Sequence, residues 1–212
     1  MVSIILCTYN RGPLLPRVIE SVLQQTFADW ELIIIDDGSS DNTKKIIEPY
    51  FEQHQRIRYF FQENKGLALA RNAGLAVARG EFITFVDSDD EYDPKHIELR
   101  IKFLLANQDV DMIHGGVKLI GPKEKYYVVD LSNPKKKIHL KNCHIGGTFF
   151  FRKEIVERIE GFREIPFGED FDFYTRAKEY FVIHKVKYST YLYHLEANDR
   201  LCDIFTNQLH RK

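Results

Sequence analysis

Two apolar runs in this chain end abruptly at carboxylates. Leu32-Ile33-Ile34-Ile35 leads into Asp36-Asp37-Gly38-Ser39, and Phe82-Ile83-Thr84-Phe85-Val86 leads into Asp87-Ser88-Asp89-Asp90. β-Branched and aromatic runs of this length read as strands buried on both faces of a parallel sheet. Open α/β sheets bind ligands in the crevice at the carboxyl ends of their strands. Carboxylates gathered there repel each other unless a cation or hydrogen-bond donors offset their charge. Hard divalent cations such as Mg²⁺ and Mn²⁺ prefer carboxylate oxygen and keep water or phosphate oxygens as further ligands. The pattern therefore points to a metal-assisted nucleotide site. An acidic turn before a helix is common, so the D-x-D at 87–89 draws its weight from following a buried strand.

Three more groups suit such a site. Cys7-Thr8-Tyr9-Asn10-Arg11 follows the first apolar run. There an aromatic ring packs on a nucleobase while a neighbouring carboxylate accepts its N–H, although a half-buried edge residue is the plainer account of Tyr9. Lys65 precedes an Ala- and Leu-rich stretch, and the free N–H groups of a helix start receive phosphate. Arg71 and Asn72 are placed to brace the carboxylates opposite. Glu169 and Asp170 stand at another helix start, either as capping carboxylates favoured by the helix dipole or with one lifted into a pocket as a general base. Neither a G-x-x-x-x-G-K-[ST] loop nor a G-x-G-x-x-G after the first strand is present, which argues against ATPases and dinucleotide enzymes.

Positioning these groups takes alternating strands and helices. Strands are predicted at 2–7, 30–35, 57–61, 82–86 and 110–120, with helices at 14–25, from Ser40 or Asp41 to about Phe51, at 66–78, and from Pro94 to about Asn107. That spacing makes right-handed crossovers and a parallel sheet. After residue 120 the pattern changes. A hairpin or edge strand is expected at 125–131, a polar turn at 133–137, a short strand at 148–151 and a helix at 153–159 stopped by Gly161. A helix at 170–180, a strand or strand pair at 182–193 and a helix at 198–209 complete the reading. The expectation is a single domain over 1–212, with a nucleotide half at about 1–120 and an acceptor and catalytic half at about 121–212.

Composition narrows the classes. The 212 residues, 44% hydrophobic and 13% aromatic, supply a core for one domain. Thirty basic and 31 acidic side chains leave a formal net charge of −1, no footing for a broad nucleic-acid surface. Cys7, Cys143 and Cys202 are far apart with no C-x-x-C spacing, so a reducing compartment is expected rather than a disulfide framework or structural zinc. The first strand begins almost at Met1, leaving no room for a signal peptide. No apolar stretch approaches the roughly twenty residues that span a bilayer. A cytoplasmic protein is expected.

The segments SIILCTYNR, QQTFADWELIIIDDGSSDNT, NKGLALARNAGL, ARGEFITFVDSDDEYDP and GFREIPFGEDFDFYTR follow one another between Val2 and Tyr193. In motif, order and spacing the chain resembles the inverting GT-A-fold glycosyltransferases of the large family-2 type, which build bacterial polysaccharides and decorate glycans. The resemblance implies a Rossmann-like α/β fold with a mostly parallel central sheet flanked by helices. It implies transfer of a sugar from a nucleotide-diphospho-sugar, by family weight a UDP-sugar, to a hydroxyl of a glycan or lipid-linked glycan acceptor.

Carried over by position, Thr8, Tyr9, Asn10 and Asp37 would hold the nucleoside, with Asp37 on the base. Lys65 and Arg71 fall in the donor-binding stretch, and Asp87 with Ser88 would contact the ribose or donor sugar. Asp89 would ligate Mn²⁺ or Mg²⁺ on the diphosphate. His194 matches a position where some relatives supply a metal ligand, although alone it reads as a surface histidine. Asp170 would deprotonate the acceptor. Lys135, Lys136 and Lys137 suit an anionic lipid-linked acceptor or peripheral contact with the inner face of the membrane; a solvated loop also accounts for them. The chain ends early for this family, soon after His194.

Three other classes share parts of the pattern. A sugar-phosphate nucleotidyltransferase has the sheet and metal but needs a Gly-rich basic loop after the first strand, which Tyr9-Asn10-Arg11-Gly12 does not supply. A phosphoacceptor signalling domain clusters aspartates at strand ends without needing Glu169-Asp170. A non-catalytic nucleotide-sugar-binding module would keep the first-half motifs and lose the base.

Overall fold

The computed structural model describes residues 1–130, 133–197 and 200. Its first half alternates strictly: β1 (Val2–Thr8), a single 3₁₀ turn (Gly12–Leu14), α1 (Leu15–Leu23), β2 (Trp30–Asp36), α2 (Thr43–Gln53), β3 (Ile57–Phe61), α3 (Leu67–Val77) and β4 (Phe82–Asp87). There follow β5 (Glu91–Tyr92), α4 (His96–Ala106), β6 (Met112–His114), β7 (Val117–Ile120), β8 (Tyr127–Asp130) and β9 (Asn133–His139). The last elements are β10 (Phe150–Arg152), α5 (Glu154–Ile159), α6 (Glu169–Lys178), β11 (Ile183–Lys185) and β12 (Tyr191–His194).

Seven strands form the central sheet in the order β11-β6-β10-β4-β1-β2-β3. All neighbours run parallel except β10, which is antiparallel to β4 and β6. The period-2 alternation of strand side chains divides the core into two layers. Val2, Ile4 and Leu6 of β1 pack with Val18 and Ile19 of α1, Ile47 of α2 and Ile97 of α4. Ile5, with Ile33 and Ile35 of β2, faces Ala70 of α3, Ile155 of α5 and Phe173 of α6. Each fully buried aliphatic or aromatic side chain contributes about 1.5–3 kcal/mol, which makes the register of these strands hard to shift. That register sets Thr8 beside Asp36 and Cys7 beside Asp87. Both acidic strand ends therefore meet at one edge of the sheet.

Two expectations change. The strand predicted at 110–120 is broken at Gly115-Gly116, both with positive φ (86° and 74°). A Cβ on Gly116 would overlap the Tyr188 carbonyl oxygen. The break keeps β6 in the central sheet and sends β7 into a separate three-stranded sheet, β5-β12-β7. The polar turn expected at 133–137 is instead part of β9, antiparallel to β8. Its run of lysines carries no apolar alternation, so pairing with β8 decides what local pattern does not. The region 182–193 resolves into two strands in different sheets. The helix expected at 198–209 lies outside the described residues. Among the described residues no helix is long and apolar enough to cross a membrane.

Candidate active site

A cavity of about 740 Å³ opens at the carboxyl ends of β1, β2 and β4. On one side it is bounded by Thr8, Asp37, Arg71, Asp87 and Asp170, and on the other by aliphatic side chains of the β8–β9 hairpin, Val128, Val129 and Ile138.

Arg71 organises the polar side. It lies on α3 with its side chain 3% exposed, and three carboxylates converge on it. Nη2 donates to Asp87 Oδ1 at 3.2 Å, Nη1 to Glu169 Oε1 at 3.1 Å, and Nη1 also to Asp170 Oδ1. One buried guanidinium offsets only part of three negative charges. Asp170 carries the consequence: burial first, then Glu169 and Asp87, push its carboxyl up to about 7 against the opposing pull of Arg71 and the Gly146 N–H. That N–H donates to Asp170 Oδ2 at 2.8 Å. A Cβ on Gly146 would overlap the Asp170 carboxyl, so only glycine lets the backbone approach this closely. A carboxylate that titrates near neutrality, oriented by two fixed donors inside a cavity, is suited to general-base work.

Asp87 is fixed from the opposite direction, since Tyr191 Oη donates to its Oδ2 at 3.1 Å. Ser88 and Asp89 follow on the cavity wall. Asp89 Oδ2 lies 3.3 Å from Arg11 Nη1, and its carbonyl oxygen accepts from Arg17 Nη2. Burial and Asp87 raise the Asp89 carboxyl, with Arg11 pulling the other way. Asp90 is buried; its Oδ1 accepts the His194 N–H at 2.8 Å, and its Oδ2 has no hydrogen-bond partner. The His194 ring turns to Glu91, with Nε2 2.6 Å from Oε1, and does not line the cavity. Among the described residues no three His, Cys, Asp or Glu side chains converge as a ready-made metal cage. Asp89 and Asp90, both raised by burial and then by neighbouring carboxylates, with one buried Asp90 oxygen unpartnered, fit a hard divalent cation whose remaining ligands come from phosphate.

The nucleoside candidates divide into wall and scaffold. Thr8 is buried with its Oγ1 unpartnered, and Tyr9 is 50% exposed on the cavity wall. Asp37 accepts from Gln62 Nε2 (2.7 Å), the Lys65 N–H (2.9 Å) and the Gly66 N–H (2.8 Å), which ties the end of β2 to the start of α3. Two oxygens offer about four acceptor positions, so one remains. The Lys65 side chain is exposed and outside the cavity lining. Asn10 has φ 52°, and its Oδ1 accepts from the Ser40 and Asp41 N–H groups at 2.8 and 3.2 Å. It fastens the loop after β1 to the loop after β2. Asn72 binds both the N–H and the carbonyl of Phe162 at 2.8 Å, holding the turn before α6 rather than a carboxylate.

Gly146 and Tyr191 were not singled out by the sequence. The Gly146-Gly147 pair ahead of a buried strand was the available signal for the first. Tyr191 carried none, because its link to Asp87 spans 104 residues.

Comparison with known proteins agrees with this architecture. Residues 3–165 match the family model described as Glycosyl transferase family 2. The UDP-Glc:alpha-D-GlcNAc-diphosphoundecaprenol beta-1,3-glucosyltransferase WfgD of Escherichia coli is 39% identical over 151 residues, covering 69% of this chain and 57% of WfgD. TarS 1-349 of S. aureus, in complex with UDP-GlcNAc, superposes with a TM-score of 0.74 at 22% identity, covering 93% of this chain and 59% of that one. The mannosyltransferase PcManGT of Pyrobaculum calidifontis, in complex with GDP-Man and Mn2+, gives a TM-score of 0.75 at 19% identity, covering 96% of this chain and 59% of that one. At these identities the two structures show the shared fold. The chain spans a little over half the length of each of these relatives.

Proposed function

Because this chain belongs to glycosyltransferase family 2, we propose that it transfers a sugar, with inversion, from a UDP-sugar to a hydroxyl of a glycan or lipid-linked glycan acceptor. The observation that carries this reading is Asp170, a half-buried carboxylate titrating near 7 on the same arginine as the strand-end Asp87. In this scheme Asp170 takes the proton of the acceptor hydroxyl as that oxygen attacks the anomeric carbon from the face opposite the diphosphate. One base and one displacement invert the centre. Arg71 and the Gly146 N–H hold the carboxylate in place.

On the donor side, Tyr9 packs on the base, the spare acceptor position of Asp37 takes a base N–H, and unpartnered Thr8 Oγ1 bonds the nucleoside. Asp87 and Ser88 face the ribose or donor sugar. Asp89 would hold Mn²⁺ or Mg²⁺ with the diphosphate, and the bound ion would offset charge on the leaving group as a Lewis acid. The names of the relatives support a nucleotide-sugar donor and a divalent metal: WfgD is named for UDP-Glc, and the TarS and PcManGT complexes contain UDP-GlcNAc and GDP-Man with Mn2+. WfgD is also named for a diphosphoundecaprenol acceptor, and the aliphatic hairpin wall offers an apolar surface to such a molecule. Acting on a lipid-linked acceptor would bring the protein to the inner face of the membrane, in cell-surface polysaccharide or glycan synthesis. The donor half at 1–120 and the acceptor half at 121–212 act as one unit, since Arg71 joins them.

The test is calorimetry and thermal shift with nucleoside diphosphates and nucleotide sugars, with and without Mn²⁺. Mn²⁺-dependent stabilisation by UDP or a UDP-sugar, lost in Asp89→Ala, is the expected result. No binding to any nucleotide with metal present overturns the reading.

A further inference from the structure

Beside Asp170 the cavity carries an aromatic shelf for which the scheme above has no task. Asp170 and Tyr174 are four residues apart on α6 and so share one face of the helix. The His144 ring stacks on Tyr174 with centroids 3.7 Å apart and planes at 20°. It also stands 5.9 Å from the Phe171 ring and 5.0 Å from His114. His144 and Phe171 line the cavity. Phe171 is 45% exposed, directly after the base in sequence. The Nδ1 atoms of His144 and His114 are both buried without a hydrogen-bond partner. From His144 the chain runs two residues to Gly146, whose N–H fixes Asp170, so shelf and base are held by the same short segment.

Each feature is unfavourable in the free protein. An exposed phenyl ring forgoes burial, and a buried ring nitrogen without a partner forgoes a hydrogen bond. A ligand that presents an apolar C–H face together with hydroxyl groups suits a wall made of an exposed phenyl ring and an imidazole, and a pyranose ring has this character. Burial, followed by the charges of Lys185 and Lys178, keeps His144 below its usual titration range, leaving a neutral imidazole able to accept or donate. A metal on the two histidines is disfavoured, because no third ligand joins them among the described residues.

We propose that Phe171 and His144 form the acceptor subsite: Phe171 packs against the C–H face of a sugar ring, and His144 hydrogen-bonds a hydroxyl neighbouring the one presented to Asp170. The assignment rests on the transferase reading, since it gives the shelf to the acceptor rather than to the donor. Pockets that combine aromatic walls with a few placed polar groups take orientation from the polar groups and affinity from the walls.

The experiment uses the full chain and four probes, the methyl glycosides of glucose, galactose, mannose and N-acetylglucosamine. Binding is read by saturation-transfer NMR with and without UDP and Mn²⁺, in the parent, Phe171→Ala and His144→Phe. The second variant keeps a ring on Tyr174 and removes both nitrogens. At least one glycoside should bind the parent, and its affinity should fall about tenfold or more in each variant, with UDP affinity unchanged. Absence of binding by all four glycosides, or equal binding in both variants, overturns the subsite. Absence of UDP binding to the parent overturns the transferase reading instead, so the two failures are distinguishable.

Discussion

Asp170 is held close to the edge of ionisation, and its environment makes that state measurable. General-base catalysis is typically worth about 10²–10⁴ in rate, so Asp170→Asn should lose transfer by that factor while binding UDP as the parent does. Lost donor affinity with transfer intact would sink the assignment. Since burial, Glu169 and Asp87 hold the carboxyl near 7, kcat/KM should rise with pH along an acidic limb centred near that value, a limb absent from the residual activity of the asparagine variant. Stability should move the opposite way. A carboxyl whose folded pKa is raised favours folding most at low pH, and that contribution is lost as pH climbs through the folded value. Asp170→Asn should therefore gain in Tm relative to the parent between pH 5 and pH 8. A thermal-melt series across that window decides it, and a constant difference would mean that Asp170 is not the group under strain.

The elements position the base by backbone rather than by side-chain length. Asp170 stands on the first turn of α6, where an acidic residue is favoured by the helix dipole, and a glycine N–H from the segment before β10 meets it. Gly146→Ala places a methyl group against the carboxyl. Its expected effect is a kcat reduced by about tenfold or more, the scale on which a small misplacement of a reacting group acts, with UDP affinity preserved. Parallel kinetics and calorimetry on this variant check both parts, and unchanged kcat would show that the carboxyl tolerates displacement. Gly115-Gly116 acts differently, by ending one strand and starting another in a second sheet. Through that switch β12 comes to deliver Tyr191 to Asp87.

At the scale of the whole molecule, the central sheet carries the charged side of the cavity and a hairpin outside it carries the apolar side. Among the described residues β8 and β9 pair only with each other, so the two layers of core do not depend on them. Replacing residues 127–139 with a Gly/Ser linker should leave folding and UDP binding intact and should abolish transfer to saccharide acceptors. Circular dichroism, calorimetry and an acceptor assay separate these outcomes; loss of UDP binding would mean that the hairpin also shapes the donor side. The same division suits the polar donor and lipid-linked acceptor proposed above.

The first four strands, the edge on which the candidate site lies and the family are legible in local pattern and motif. Buried strands, amphipathic helices and strand-end carboxylates are local patterns, and each follows from side-chain periodicity within a dozen residues. The helix at α6 and its acidic start were legible for the same reason. The partners of those carboxylates come from tertiary contacts. Arg71, which also holds Asp87, meets Glu169 and Asp170 across 98 and 99 residues of chain, and no local pattern encodes a contact at that separation. The assignment of Asn10 and the Lys65 backbone to scaffolding, and the turn of His194 towards Glu91, depend on which loops meet. The β9 strand was missed because its lysines show no apolar period, and its conformation comes from the partner strand. Local patterning specifies burial, whereas the partner of each buried charge is set by long-range packing.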